Sequence, residues 1–113
     1  MSLNKIENYI DGKLIAPISA NYLDNFNPAI GELYSLIPDS DESDVEFAVE
    51  AAKRAFSSWS KTSHEERFEI LMRLVRLIER DLIQLAEAES VDNGKPVTLA
   101  KMVDIPRAAA NFR

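Results

Sequence analysis

His64 is the single histidine of the chain, and it stands beside two carboxylates in "KTSHEER". An imidazole next to acids can act as a general base or a metal ligand. Either role needs partners, and the sequence holds neither a second histidine nor any cysteine. A place in the first turn of a helix also predicts exposure, so His64 is read as a surface residue. Glu65 and Glu66 cannot flank one scissile bond, because consecutive helical residues point in different directions. Gly12, Gly31 and Gly94 lie too far apart to cradle a phosphate. The stretch "ESVDNGKP" (89–96) is the one place where an acid, an amide and an ammonium crowd together at a turn signal. It can be a simple helix stop, with Gly94 as terminator, or a landmark of a much larger protein of which these residues are the front end. On residue types and spacing alone, no catalytic centre is visible.

The elements that would position these residues come from an ordinary globular composition. The chain has 113 residues, 46% of them hydrophobic and 28% charged, enough for a core without metals or disulfides. The absence of cysteine removes thiol nucleophiles and thiolate metal sites, and is compatible with a cytoplasmic location. No signal peptide or membrane span is expected, since no long apolar run occurs. The net charge of −6 falls in the first half, thickest in "DSDESDVE" (39–46). Without a basic face, nucleic acid is not an expected partner. The acidic run lacks the glycine and terminal Glu of a calcium loop. It is expected to cap a helix instead, where carboxylates favour the positive dipole end.

Residues 8–38 read as short strands. "NYIDGKLI" predicts a hairpin about Asp11-Gly12, and prolines close "NYLDNFNP" and "GELYSLIP", which suits peripheral strands. From residue 41 the period becomes helical. Ser40 or Asp41 caps a helix with the stripe Val45, Ala48, Val49, Ala52, Phe56 and Trp59, so that Trp59 is expected in the core. Ser63-x-x-Glu66 is a capping box. The helix it opens carries Phe68, Leu71, Met72, Val75, Ile78 and Leu82 on one side, and Ile70, Leu74 and Leu77 on a second. Such width predicts contact on two sides. The pattern shifts phase at Asp81 and stops at Asp92-Asn93-Gly94. Pro96 opens another helix, and "VDIPRAAANFR" is expected to restart with Asp104 as cap and Pro106 in its first turn. The helical pattern runs to Phe112-Arg113 without a C-cap, which predicts that the polypeptide is truncated from a longer one.

Taken in order, "YIDGKLI", "FNPAIGELYSLIP", "DVEFAVEAAKRAFSSWSKTSHEERFEIL", "LAEAESVDNGKP" and "DIPRAAANFR" resemble the N-terminal part of the NAD(P)-dependent aldehyde dehydrogenase superfamily. The resemblance runs over roughly residues 7–113; "DIPRAAANFR" is similar to the betaine-aldehyde and muconic-semialdehyde branches alike. His64 departs from it, since many members carry proline there; the capping box is unaffected. The resemblance implies an α/β family fold. This chain would supply an N-terminal strand hairpin region (about 8–38) and a mainly helical layer (about 41–113) of the cofactor-binding domain, incomplete as it stands.

It also implies a parent enzyme that oxidises an aldehyde, such as betaine aldehyde or a semialdehyde, to a carboxylic acid. In such enzymes a cysteine attacks the carbonyl, a hydride passes to NAD or NADP, and a glutamate activates water. Those groups lie downstream in the family, so neither catalysis nor cofactor binding is expected of these residues alone. What the resemblance does place here is a monovalent cation, K+ or Na+, held by oxygens of Asn25 and Phe26 and by the Asp92 carboxylate. Asp92 serves that ion or ties the helix end to the strand loop. The expected partner is the remainder of the dehydrogenase fold, with self-association through exposed apolar surface as a second route. A free-standing, non-catalytic interaction module is the alternative reading.

Overall fold

The computed structural model describes residues 3–113. Five strands precede the helices: β1 (Asn4–Lys5), β2 (Asn8–Ile10), β3 (Lys13–Ile15), β4 (Tyr22–Asn27) and β5 (Glu32–Pro38). They form a two-stranded ribbon, β2–β3, and a three-stranded sheet in the order β1-β5-β4. The hairpin sits where Asp11-Gly12 predicts it. Both turn residues have positive φ, 53° and 76°, the geometry that matches the twist of two antiparallel strands. β1 runs parallel to β5, with Asn4 opposite Ser35 and Lys5 opposite Leu36. Two residues carry no legible period, so this pairing is not foreseeable from the sequence.

The helices are α1 (Glu42–Trp59), α2 (His64–Arg80), α3 (Leu82–Asn93), a short α4 (Val97–Leu99) and α5 (Ile105–Phe112). Asp41, not Ser40, caps α1: its carboxylate accepts from Ser43 N, and Asp44 returns a bond to Asp41 N. Ser40 Oγ instead accepts from Asn8 Nδ2. Ser63 and Glu66 form the expected box at α2, at 3.1 and 2.7 Å.

Two expectations need correction. Asp104 is no cap. Val97–Phe112 is one helical run whose middle, Ala100–Asp104, widens into a π turn. Pro106 lacks an N–H and its ring crowds the carbonyl four residues back, and a π segment is a common way to absorb such a break. The α1 stripe is likewise not core. Phe56 is 64% exposed, and Val45, Val49 and Trp59 are exposed too, while Asp44 and Ala51 are buried. The buried Asp44 also accepts from Ile18 N at 2.8 Å, a bond that satisfies its carboxylate away from solvent.

The chain divides into two compact units. The first holds the described residues up to Phe26 with Glu32–Lys61, and the second holds Asn27–Gly31 with Thr62–Arg113. In the first, Ile10 and Ala51 are buried; in the second, Val75, Ala86, Ala100 and Ala109 are. α2 packs on α5 through the Val75 side, with Met72 and Ile78 half-buried.

Candidate functional site

The crowded corner at the end of α3 is closed by a chain of polar contacts. Gly94 terminates the helix in the left-handed conformation, φ 79°, where a β-carbon is disfavoured. Space adds a second requirement: a Cβ built there would lie 2.9 Å from Pro28 Cγ. Pro28 belongs to a turn in which the Asn27 carbonyl accepts from Gly31 N at 2.8 Å and Asn27 Oδ1 accepts from Ala29 N at 3.0 Å.

Lys95 is the centre of the corner. Its ammonium lies 2.8 Å from Asp104 Oδ2 and 3.2 Å from Glu89 Oε1. Asn93 Nδ2 donates to the same Glu89 oxygen at 2.7 Å, and Asn93 Oδ1 accepts from Lys95 N at 3.0 Å. Ser90 Oγ donates to the Lys95 carbonyl at 2.6 Å. The hydrogen bond to Asp104, then that to Glu89, raises the Lys95 pKa above its ordinary value. One ammonium thereby ties α3 to the π turn and neutralises two acids. Asp104 and Glu89 are the residues that the sequence reading missed. The only signal was the spacing Glu89/Lys95/Asp104, which becomes a contact only once the turn at Gly94 reverses the chain.

The residues expected to hold a cation are placed as follows. Asn25 and Phe26 lie on β4 in the first unit, and Asp92 lies on the exposed last turn of α3 in the second. The Asn25 side-chain amide donates through Nδ2 to Tyr34 Oη at 2.9 Å and to the buried Ser35 Oγ at 3.1 Å. Phe26 is exposed. No group of three or more His, Cys, Asp or Glu side chains is arranged for a metal among the described residues. His64 is exposed, as expected for a first-turn residue.

A second polar cluster lies in the first unit. Tyr22 Oη donates to Glu7 Oε1 at 2.9 Å, and Lys5 Nζ sits 4.4 Å from the Tyr22 ring centroid. Burial first, then the bond to Glu7, raises the Tyr22 pKa. None of these groups forms a nucleophile–base pair, and no helix among the described residues is long and apolar enough to cross a membrane.

Comparison with known proteins decides the family. Residues 15–113 match the family model described as "Aldehyde dehydrogenase family". The chain belongs to the aldehyde dehydrogenase family. This aldehyde dehydrogenase chain is 50% identical over 108 residues to a 2-aminomuconic semialdehyde dehydrogenase of Bos taurus, covering 96% of this chain and 22% of that protein. The protein of the same name from Homo sapiens is 45% identical over 112 residues, 99% of this chain and 23% of that one. An aldehyde dehydrogenase from Bacillus cereus, solved as an NAD+ complex, superposes with a TM-score of 0.93 at 32% identity, over 97% of this chain and 23% of that one. The chain therefore spans less than a quarter of the length of these three relatives. Its strands followed by helices are the N-terminal part of the aldehyde dehydrogenase fold.

Proposed function

We propose that these residues are the N-terminal scaffold of an NAD(P)-dependent enzyme that oxidises a semialdehyde to a carboxylic acid. The observation that carries the reading is the family match over nearly the whole chain, at 45–50% identity to proteins named 2-aminomuconic semialdehyde dehydrogenase. That naming favours a semialdehyde over betaine aldehyde. The NAD+ complex of the similar Bacillus cereus enzyme supports a nicotinamide cofactor in the complete protein.

The division of labour follows from the chemistry. Acyl transfer in this family uses a cysteine nucleophile, and the 113 residues contain none. This part contributes the hairpin, the capped helices and the Lys95 corner, and is inactive by itself. In the complete enzyme, oxygens of Asn25 and Phe26 with the Asp92 carboxylate would hold a K+ or Na+ ion, since hard cations take oxygen ligands.

Sequencing the gene beyond the codon for Arg113 tests the proposal. A continuing frame with a glycine-containing cofactor turn and a cysteine-bearing segment is expected. A stop codon with neither segment in any following frame would overturn it.

A further inference from the structure

The helical run Val97–Phe112 has a weak joint in its middle. At the π turn, Ile105 N donates to the Ala100 carbonyl, five residues back, a wider ring than the α-helical one. The next residue, Pro106, has no N–H with which to continue the ladder. The backbone therefore does little to hold α5 at a fixed angle to the segment before it. Packing adds only a modest restraint. α5 meets α2 through the buried Ala109, with Ile105 and Ala108 half-buried, and alanine methyls remove little apolar area from water. Beside this contact lies a cavity of about 230 Å³ lined by Ile78, Leu82, Ile105, Pro106 and Ala109, so the surfaces do not close on each other fully.

Side-chain ties must supply the rest. Among the described residues, two join Asp104–Arg113 to other elements. Arg113 meets Glu79 at 2.5 Å with both side chains at least half exposed, where an ion pair contributes little. Lys95 meets Asp104 at 2.8 Å with the side chains only 27% and 33% exposed, which leaves this pair less screened by solvent. It also sits at the joint itself, since Asp104 is the last residue of the π turn. Lys95 is anchored on its own side: its N–H donates to Asn93 Oδ1 and its carbonyl accepts from Ser90 Oγ. We infer that the π turn is a hinge and that the Lys95–Asp104 pair is its latch. When the pair parts, α5 swings off α2 and the cavity beside it opens, while α2 and α3 stay folded. A segment with few apolar contacts and an interrupted ladder opens at lower free energy than the whole unit. Lys95 is thus a positioning residue for α5, in addition to closing the end of α3.

Residue-resolved hydrogen exchange of the 113-residue chain tests the latch. α5 has eight residues, and a helix that short is marginal in water once stripped of its packing, so opening exposes its amides. Lys95→Met should speed exchange at Ala108–Phe112 about tenfold or more. Amides around Val75 in α2 and Ala86 in α3 should stay within about threefold of the native chain. Asp104→Asn should have the same effect. The double variant should add little to either single one, because each removes the same contact. Glu89→Gln keeps the Asp104 pair and should leave α5 within about threefold. A uniform rise over α2, α3 and α5 would overturn the inference, since the pair would then be a general stabiliser of the unit. So would unchanged α5 exchange in Lys95→Met, additive effects of the two substitutions, or a native chain without protected amides in α5.

Discussion

The Gly94–Lys95 corner and the Ile70–Leu74–Leu77 face lie in the same unit and are finished to different degrees. At the corner, the polar groups of Glu89, Ser90, Asn93, Lys95 and Asp104 bond to one another within sixteen residues. On the face, three aliphatic side chains at perfect helical spacing meet solvent. Polar satisfaction at a helix end is local, and a short chain can complete it alone. Apolar burial needs a second surface at a distance, and on this face it is partial. The difference marks a scaffold that is finished at its turns and open on its flanks.

Substitutions can break or sharpen that contrast. Gly94→Ala should be the most damaging, because it combines a left-handed backbone with a 2.9 Å approach to Pro28 Cγ. A loss of about 2–4 kcal/mol is expected, read as a shift of the urea midpoint. A loss near zero would mean that the corner is loose. Val75→Ala removes two methyl groups from the packed side of α2 and should cost about 2–3 kcal/mol in the same titration.

Ser63→Ala strips the cap of α2 and should cost about 1 kcal/mol. Comparison with Ser63→Asp, which keeps an acceptor, separates capping from packing. The Lys95 bridge has a pH signature. Its pKa is raised in the folded state, chiefly by Asp104 and then by Glu89. The stability it contributes is complete below the ordinary lysine value of 10.5 and is lost as pH rises through the folded value. Thermal midpoints taken from neutral to alkaline pH should fall for the native chain above that value, and fall less for Lys95→Met. Parallel curves would remove the bridge from the account. Leu77→Ala, on the open face, should change stability of the isolated chain by less than about 0.5 kcal/mol. A cost like that of Val75→Ala would erase the contrast.

What the sequence made legible follows the same division. The Asp11-Gly12 hairpin, the Ser63/Glu66 box, the break at Asp81 and the stop at Gly94 are local patterns, and each appears where its residues predict. The inward face of α1 was not legible: Asp44, bonded to Ile18 N, and Ala51 are buried there, while Val45, Val49 and Phe56 of the apolar stripe are exposed. The Lys95–Asp104 pair was hidden for a related reason: Asp104 ahead of Ile105-Pro106 has the appearance of a cap until the π turn carries the helix through it. No residue of a catalytic centre was expected here. The cation role proposed for Asn25, Phe26 and Asp92 follows from resemblance alone, since the oxygens of Asn25 and Phe26 leave no mark on residue type and a lone Asp92 carboxylate is not distinctive.

The central claim is that this chain is a folded scaffold whose chemistry resides in the rest of the enzyme. The most direct measurement is NADH formation from a panel of semialdehydes by the purified 113-residue chain, beside the same chain grafted onto the Bos taurus relative. The account predicts no NADH from the isolated chain and steady formation by the graft. Turnover by the isolated chain, in a preparation shown to be free of host dehydrogenase, would contradict it.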